Sequence, residues 1–213
     1  MLNLNSTVEI DWSNFNSTLV IEVTRPSGVF TCSGIAINPF TVLTAAHCLD
    51  GDILNIRISN ASHYDPNESF CDVENFELHP DYQPEKSLFR NDLAKIKLKN
   101  HLPSSVRFFP ISKKNDIKEC NVLRLGYGER NNKNDRTLIS PLFKDLRKNE
   151  NVLELHDTYS YSGDSGGPVF IQQNGQWHLV AIHSTLSFGP EGKYSFNPIL
   201  LPHRKWIEAP YLS

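Results

Sequence analysis

Short apolar runs broken by Gly, Pro, Asn and Asp set the texture of this chain. Residues 19–23, 34–37, 41–44 and 53–58 are rich in β-branched side chains and bounded by turn formers, which suits a pleated surface. Residues 93–98, Leu-Ala-Lys-Ile-Lys-Leu, alternate with period two, so one face turns to a core and the other to solvent. The second half repeats this texture at residues 122–125, 152–155, 168–171 and 178–182. With no helices alternating between these strands, the pattern predicts antiparallel barrels over a βαβ sheet.

Length and charge narrow the classes. At 213 residues and 39% hydrophobic content, the chain fits one globular domain or two small ones sharing an interface. Pro103, Pro110 and a run of charges mark residues 101–118 as a linker, which predicts units at 1–110 and 111–213. No run approaches the ~18 apolar residues that span a bilayer. A net charge of −3, mixed along the chain, gives no reason to expect nucleic acid or an anionic membrane as partner. His63, His79, His101, His156, His178 and His203 lack ligand spacing and read as surface or packing residues, so no metal or cofactor is expected.

Three motifs carry chemistry. Gly163-Asp164-Ser165-Gly166-Gly167-Pro168 places a hydroxyl between glycines, whose backbone freedom lets the amides of Gly163 and Ser165 point together at a developing oxyanion. A serine becomes a useful nucleophile only when a base takes its proton. Thr44-Ala45-Ala46-His47-Cys48 supplies a histidine, and Asn91-Asp92-Leu93-Ala94-Lys95-Ile96 supplies an aspartate beside an apolar run.

In the order His47, Asp92, Ser165, the sequence resembles the trypsin/chymotrypsin family of serine endopeptidases, from about Thr31 to Trp206-Ile207. The resemblance implies two antiparallel six-stranded β-barrels and a short C-terminal helix, with His47 and Asp92 on the first barrel, Ser165 on the second and the cleft between them. It implies a catalytic triad, an oxyanion hole at Gly163 and Ser165, a peptide or protein substrate and a monomer. Ser184 matches a family serine at the start of the substrate-binding strand and is expected to donate to Asp92.

Most of the family forms its oxyanion turn when cleavage frees an Ile or Val amine that pairs with the aspartate before the nucleophile. No Ile/Val-Val-Gly-Gly start lies near residues 6–10. Asp164 therefore needs another partner if buried. Arg124, two residues before Gly126-Tyr127-Gly128, is the expected one, because some bacterial members resemble this arrangement.

The pocket departs from digestive trypsin. Tyr159 stands where trypsin's basic-specific aspartate would be, and Leu186 replaces an entrance glycine, beside Thr185. Arg or Lys at P1, the residue whose carbonyl is attacked, is not expected. His183 and Ser160 resemble the pocket of glutamyl endopeptidases, exfoliative toxins and picornavirus processing proteases. They imply P1 Glu, Gln or Asp, through hydrogen bonds to a carboxylate or amide oxygen. The competing expectation is that His183 only packs and the narrowed pocket takes small residues.

Cys32 and Cys48 match the family disulfide beside the histidine, and closing that loop stabilises by about 3 kcal/mol in the entropic description. Cys120 is either free or paired with Cys71. The stretch 128–165 is shorter than in digestive enzymes, and the polar residues 129–135 read as an exposed loop, open to solvent or to a partner. Met1 to Asn5 lacks a basic and an apolar leader region, so the expected compartment is cytoplasmic if Met1 is native and secreted or periplasmic if the chain is trimmed. Two alternatives stand beside an active protease: a catalytically idle binding module on the same fold, and a protease latent until a protein regulator binds.

Overall fold

Strands of the first half close on themselves. After β1 (Thr7–Glu9), the chain forms β2 (Thr18–Arg25), β3 (Gly28–Asn38), β4 (Thr41–Thr44), β5 (Asn55–Ser59), β6 (Cys71–Leu78) and β7 (Ala94–Leu98). The last six make a closed barrel in the order β2-β3-β4-β7-β6-β5, antiparallel throughout. The computed structural model describes residues 7–9, 11–67, 71–84, 91–113, 117, 121–129, 139–143, 146–149, 151–190 and 192–211. Cys120 and most of the polar loop 129–135 lie outside the described residues.

The second half holds β8 (Val122–Arg124), β9 (Ile139–Phe143), β10 (Leu146–Asn149), β11 (Val152–His156), β12 (Pro168–Gln173), β13 (Gln176–Ile182), β14 (Thr185–Gly189) and β15 (Gly192–Pro198). They form a five-stranded sheet, β1-β9-β8-β12-β13, and a four-stranded sheet, β10-β11-β15-β14. A bridge between Ala181 and Ile199 ties the two, and a bulge at Val169 and Phe170 bends β12. Here β1 crosses to the second half and pairs with β9. A short helix, α1 (Arg204–Glu208), lies near the end of the described residues.

The period-two patterning explains how the halves meet. Along β2, Leu19, Ile21 and Val23 fill the first barrel, while Val20 between them packs with Ile35, Leu43, Leu93, Leu123 and Phe170 in a cluster drawn from both halves. Along β12, Val169 and Ile171 face the second core, with Val122, Leu153, Leu155 and Val180, while Phe170 faces the shared cluster. Each strand therefore gives one face to its own core and the other to the seam. That seam fixes the relative position of groups carried by different halves.

Lys95 fastens α1 to the first barrel. It is buried, pairs with Glu77 Oε2 at 3.0 Å and donates to the Ala209 carbonyl at 3.0 Å, next to the Trp206 and Tyr211 rings. A cation at the carbonyl end of a helix is favourably placed. Cys32 and Cys48 form the expected disulfide, and Cys71 is a free thiol, which removes its pairing with Cys120.

Candidate active site

At the end of β4, the chain turns through a single 3₁₀ turn, Ala46–Cys48, and the disulfide to Cys32 pins that turn to β3. His47 is thereby held at the seam, its side chain 27% exposed and opposite a fully buried Asp92. Asp92 follows Asn91, whose φ of 54° is left-handed, and precedes β7. Its carboxylate accepts the His47 backbone N–H on Oδ1 at 2.8 Å and lies 2.7 Å from His47 Nδ1 through Oδ2. An ionised carboxylate only accepts, so Nδ1 carries the ring proton and Nε2 keeps its lone pair. Ser184 Oγ donates to Asp92 Oδ2 at 2.5 Å, as expected from the sequence.

Ser184 also reaches the third candidate residue, because Ser165 Oγ donates to its carbonyl at 3.4 Å. Cys48 Sγ lies 3.9 Å from His47 Nε2 and 3.8 Å from Ser165 O, so ring and loop share one small volume. The loop is shaped by Asp164 N–H donating to Tyr161 O at 3.1 Å and Gly167 N–H donating to Asp164 O at 3.0 Å. Gly163 and Gly166 take φ of 101° and 84°, where a side chain is strained, and a Cβ on Gly166 would strike Thr44 Oγ1 and the Ser33 carbonyl. Neither the Gly163 nor the Ser165 backbone N–H has an acceptor among the described residues.

Beneath the loop lies a buried charge cluster. Asp164 accepts Gly128 N–H at 2.8 Å and Tyr161 N–H at 2.9 Å, and Arg124 Nη1 stands 3.2 Å from its Oδ2 without hydrogen-bond alignment. The aligned edge of Arg124 goes elsewhere: Nε and Nη2 bind Asp157 at 2.6 and 3.2 Å. The expected partnership with Asp164 is thus present but secondary, because the planar fork matches Asp157 side-on. All three side chains are fully buried. Burial pushes the Asp157 carboxyl up, but the neighbouring Arg124 charge overrides it and holds that carboxyl below its ordinary range.

Among the residues expected at the pocket, Ser160 Oγ and His183 Nε2 are 2.8 Å apart, and His183 Nδ1 is 3.1 Å from Asn197 Oδ1. The Asn197 amide nitrogen is engaged by the Leu153 carbonyl at 2.8 Å, so its oxygen faces the ring and Nδ1 must donate. Nε2 then accepts the Ser160 hydroxyl proton. Burial first, and the Arg124 charge second, push His183 down to about 4, so the ring is neutral at pH 7. Both members of the pair are buried and already bonded. Tyr159 turns its N–H onto Asp157 at 3.0 Å, and Thr185 and Leu186 open β14, half-buried.

A family model described as trypsin matches residues 12–200 of this chain. The chain belongs to the trypsin family. Its relatives include CLIP domain-containing serine protease B4 of Anopheles gambiae, 25% identical over 83% of this chain and 60% of the relative. Coagulation factor XI of Bos taurus is 28% identical over 78% of this chain and 31% of the relative. Vitamin K-dependent protein C of Mus musculus is 28% identical over 84% of this chain and 45% of the relative. The chain therefore spans between about a third and 60% of these relatives' length.

Within this family frame, sequence reasoning missed several supporting residues. Ser33 donates its N–H to Ser165 O at 2.7 Å and its hydroxyl to Gly163 O at 2.8 Å, fixing the loop from the first barrel. Its place next to Cys32 was the available signal. Asp157 and Asn197 sit in runs without any motif, and only the folded contacts reveal them.

Proposed function

We propose that this chain is a serine endopeptidase using Ser165, His47 and Asp92 on peptide or protein substrates. As a bond forms from Ser165 Oγ to the peptide carbonyl carbon, the hydroxyl proton passes to His47 Nε2. The Gly163 and Ser165 N–H groups receive the oxyanion. The carbon–nitrogen bond then breaks as His47 returns the proton to the leaving amine, and water repeats the sequence to free the acyl group. Asp92 holds the tautomer and stabilises the imidazolium. Asp164 and Arg124 keep the loop formed, and the site lies in the groove between units 1–110 and 111–213.

The observation that carries this reading is the convergence on Ser184: its hydroxyl binds Asp92, which binds His47, and its carbonyl binds Ser165. The side chain at P1 is acidic, amide or small and not Arg or Lys, consistent with Tyr159 and Leu186 at the pocket. Cleavage-site profiling on a denatured proteome, with Ser165→Ala as control, tests the reading. New termini that vanish in the control support it. A folded wild-type chain that makes none beyond the control, or cuts mainly after Arg and Lys, overturns it.

A further inference from the structure

The pocket pair Ser160 and His183 has no free donor to offer a substrate. The hydroxyl proton goes to Nε2, the Nδ1 proton to Asn197, and the ring is neutral. An acid arriving there would have to break both bonds in a buried site.

A cation lies close by. Lys193 sits on β15 opposite Phe188 on β14, in the hairpin that begins directly after Ser184. Rather than extending into water, its side chain crosses to the segment before the nucleophile, where Nζ donates to the Ser160 carbonyl. The ammonium lies 5.2 Å from the Tyr161 ring centroid and 5.9 Å from that of Phe188. Tyr161 is 46% exposed and Phe188 80% exposed, so this aromatic bracket is open on its outer side. Among the described residues no carboxylate pairs with Lys193. An ammonium has three protons, and one carbonyl takes one of them. The remainder, steadied between two ring faces, are available to an anion.

We propose that Lys193 is the specificity-determining residue of this protease and that it selects an acidic P1 side chain, through a charge-assisted hydrogen bond from Nζ to the substrate carboxylate. This rests on the endopeptidase reading above and assigns the acid to Lys193 instead of His183 and Ser160. The Ser160 carbonyl links the cation to the nucleophile loop, five residues before Ser165 in the chain. The two rings hold the ammonium by cation–π contact, so less side-chain freedom is lost when a carboxylate binds it.

The test uses peptides identical except for P1 Glu, Gln, Ala or Lys. Each is assayed with the wild type, Lys193→Met and Lys193→Glu. Glu and Gln have the same shape, so their kcat/KM ratio reads the charge alone. Being internal to each variant, the ratio is insensitive to the fraction folded. A charge-assisted hydrogen bond predicts a wild-type preference for Glu over Gln of about 10- to 100-fold. The ratio should fall to about one in Lys193→Met, and Lys193→Glu should favour P1 Lys over Glu. An unchanged ratio in Lys193→Met, or a wild type indifferent between Glu and Gln, overturns the assignment while the endopeptidase reading stands. If the wild type cleaves no peptide and Ser165 takes up no fluorophosphonate, both fall together.

Discussion

Replacing Arg124 by leucine removes one cation from between two carboxylates that have no access to water. The two are not left equally exposed to the loss. Asp164 keeps the Gly128 and Tyr161 N–H groups, whereas Asp157 keeps, among the described residues, the Tyr159 N–H at 3.0 Å. The damage should therefore concentrate at Asp157. Breaking a buried pair by removing one partner costs about 3–5 kcal/mol, which for a chain of this size lowers the melting midpoint by about 6–20 °C. Arg124→Leu with Asp157→Leu removes the stranded charge as well and should regain more than half of that loss. Thermal unfolding by circular dichroism reads stability, and the rate of fluorophosphonate uptake by Ser165 reads the loop. In both variants Asp164 lacks its cation, so labelling should stay slow even where stability returns. An Arg124→Leu protein that melts within about 2 °C of wild type and labels at the wild-type rate would refute the idea that this cluster supports the oxyanion turn.

Three further outcomes are expected. Asp92→Asn should reduce peptide turnover by about four orders of magnitude with little change in fold, because the amide imposes the wrong imidazole tautomer; steady-state kinetics on a good substrate checks it. His183 and His203 are both pushed down to about 4, by burial first, with Arg124 acting on the former and His79 on the latter. The unfolded chain therefore takes up protons below about pH 6.5 that the folded chain refuses, so stability is full above that value and falls as pH drops towards about 4. A melting midpoint that stays flat from pH 7 to about pH 4.5 would contradict this, and His183→Gln should flatten part of the slope. Lys95→Met removes the ion pair to Glu77 and the hydrogen bond to the Ala209 carbonyl, which should cost about 3 kcal/mol and speed amide exchange in α1; unchanged exchange there would show that Lys95 does not hold the helix.

How far the sequence could be read depended on what each strand faces. In β2, β4 and β7, apolar side chains turn to a core, and their alternation or β-branched content announces a strand. In β6 a bulge between Val73 and Asn75 shifts the register, so Val73, Phe76 and Leu78 do not follow a simple period of two. In β15 the inward positions are Ser195 and Asn197, which hydrogen-bond each other, and Asn197 also steadies His183. Polar residues facing inward reverse the signal a strand normally gives. The candidate reactive residues were legible because they sit in local motifs that resemble the family's: glycines around Ser165, and the Ala-Ala-His-Cys turn around His47. Supporting contacts follow no such local rule. Arg124 and Asp157 are 33 positions apart, and the buried His203–His79 pair, 3.0 Å between nitrogens, is 124 positions apart. Arg124 and Asp157 meet through the folding of the second half alone, whereas His203 reaches His79 because the two halves pack together.

Proteolysis by this chain depends on activation of the hydroxyl at position 165 by the imidazole at position 47. Its most direct test is mass-spectrometric mapping of the protein after brief exposure to a fluorophosphonate, with His47→Ala as the comparison. The expected result is a single adduct on Ser165 in the wild type, with the adduct rate reduced by orders of magnitude when His47 is removed. A folded wild type that carries no adduct on Ser165, or one that labels equally fast without His47, contradicts it.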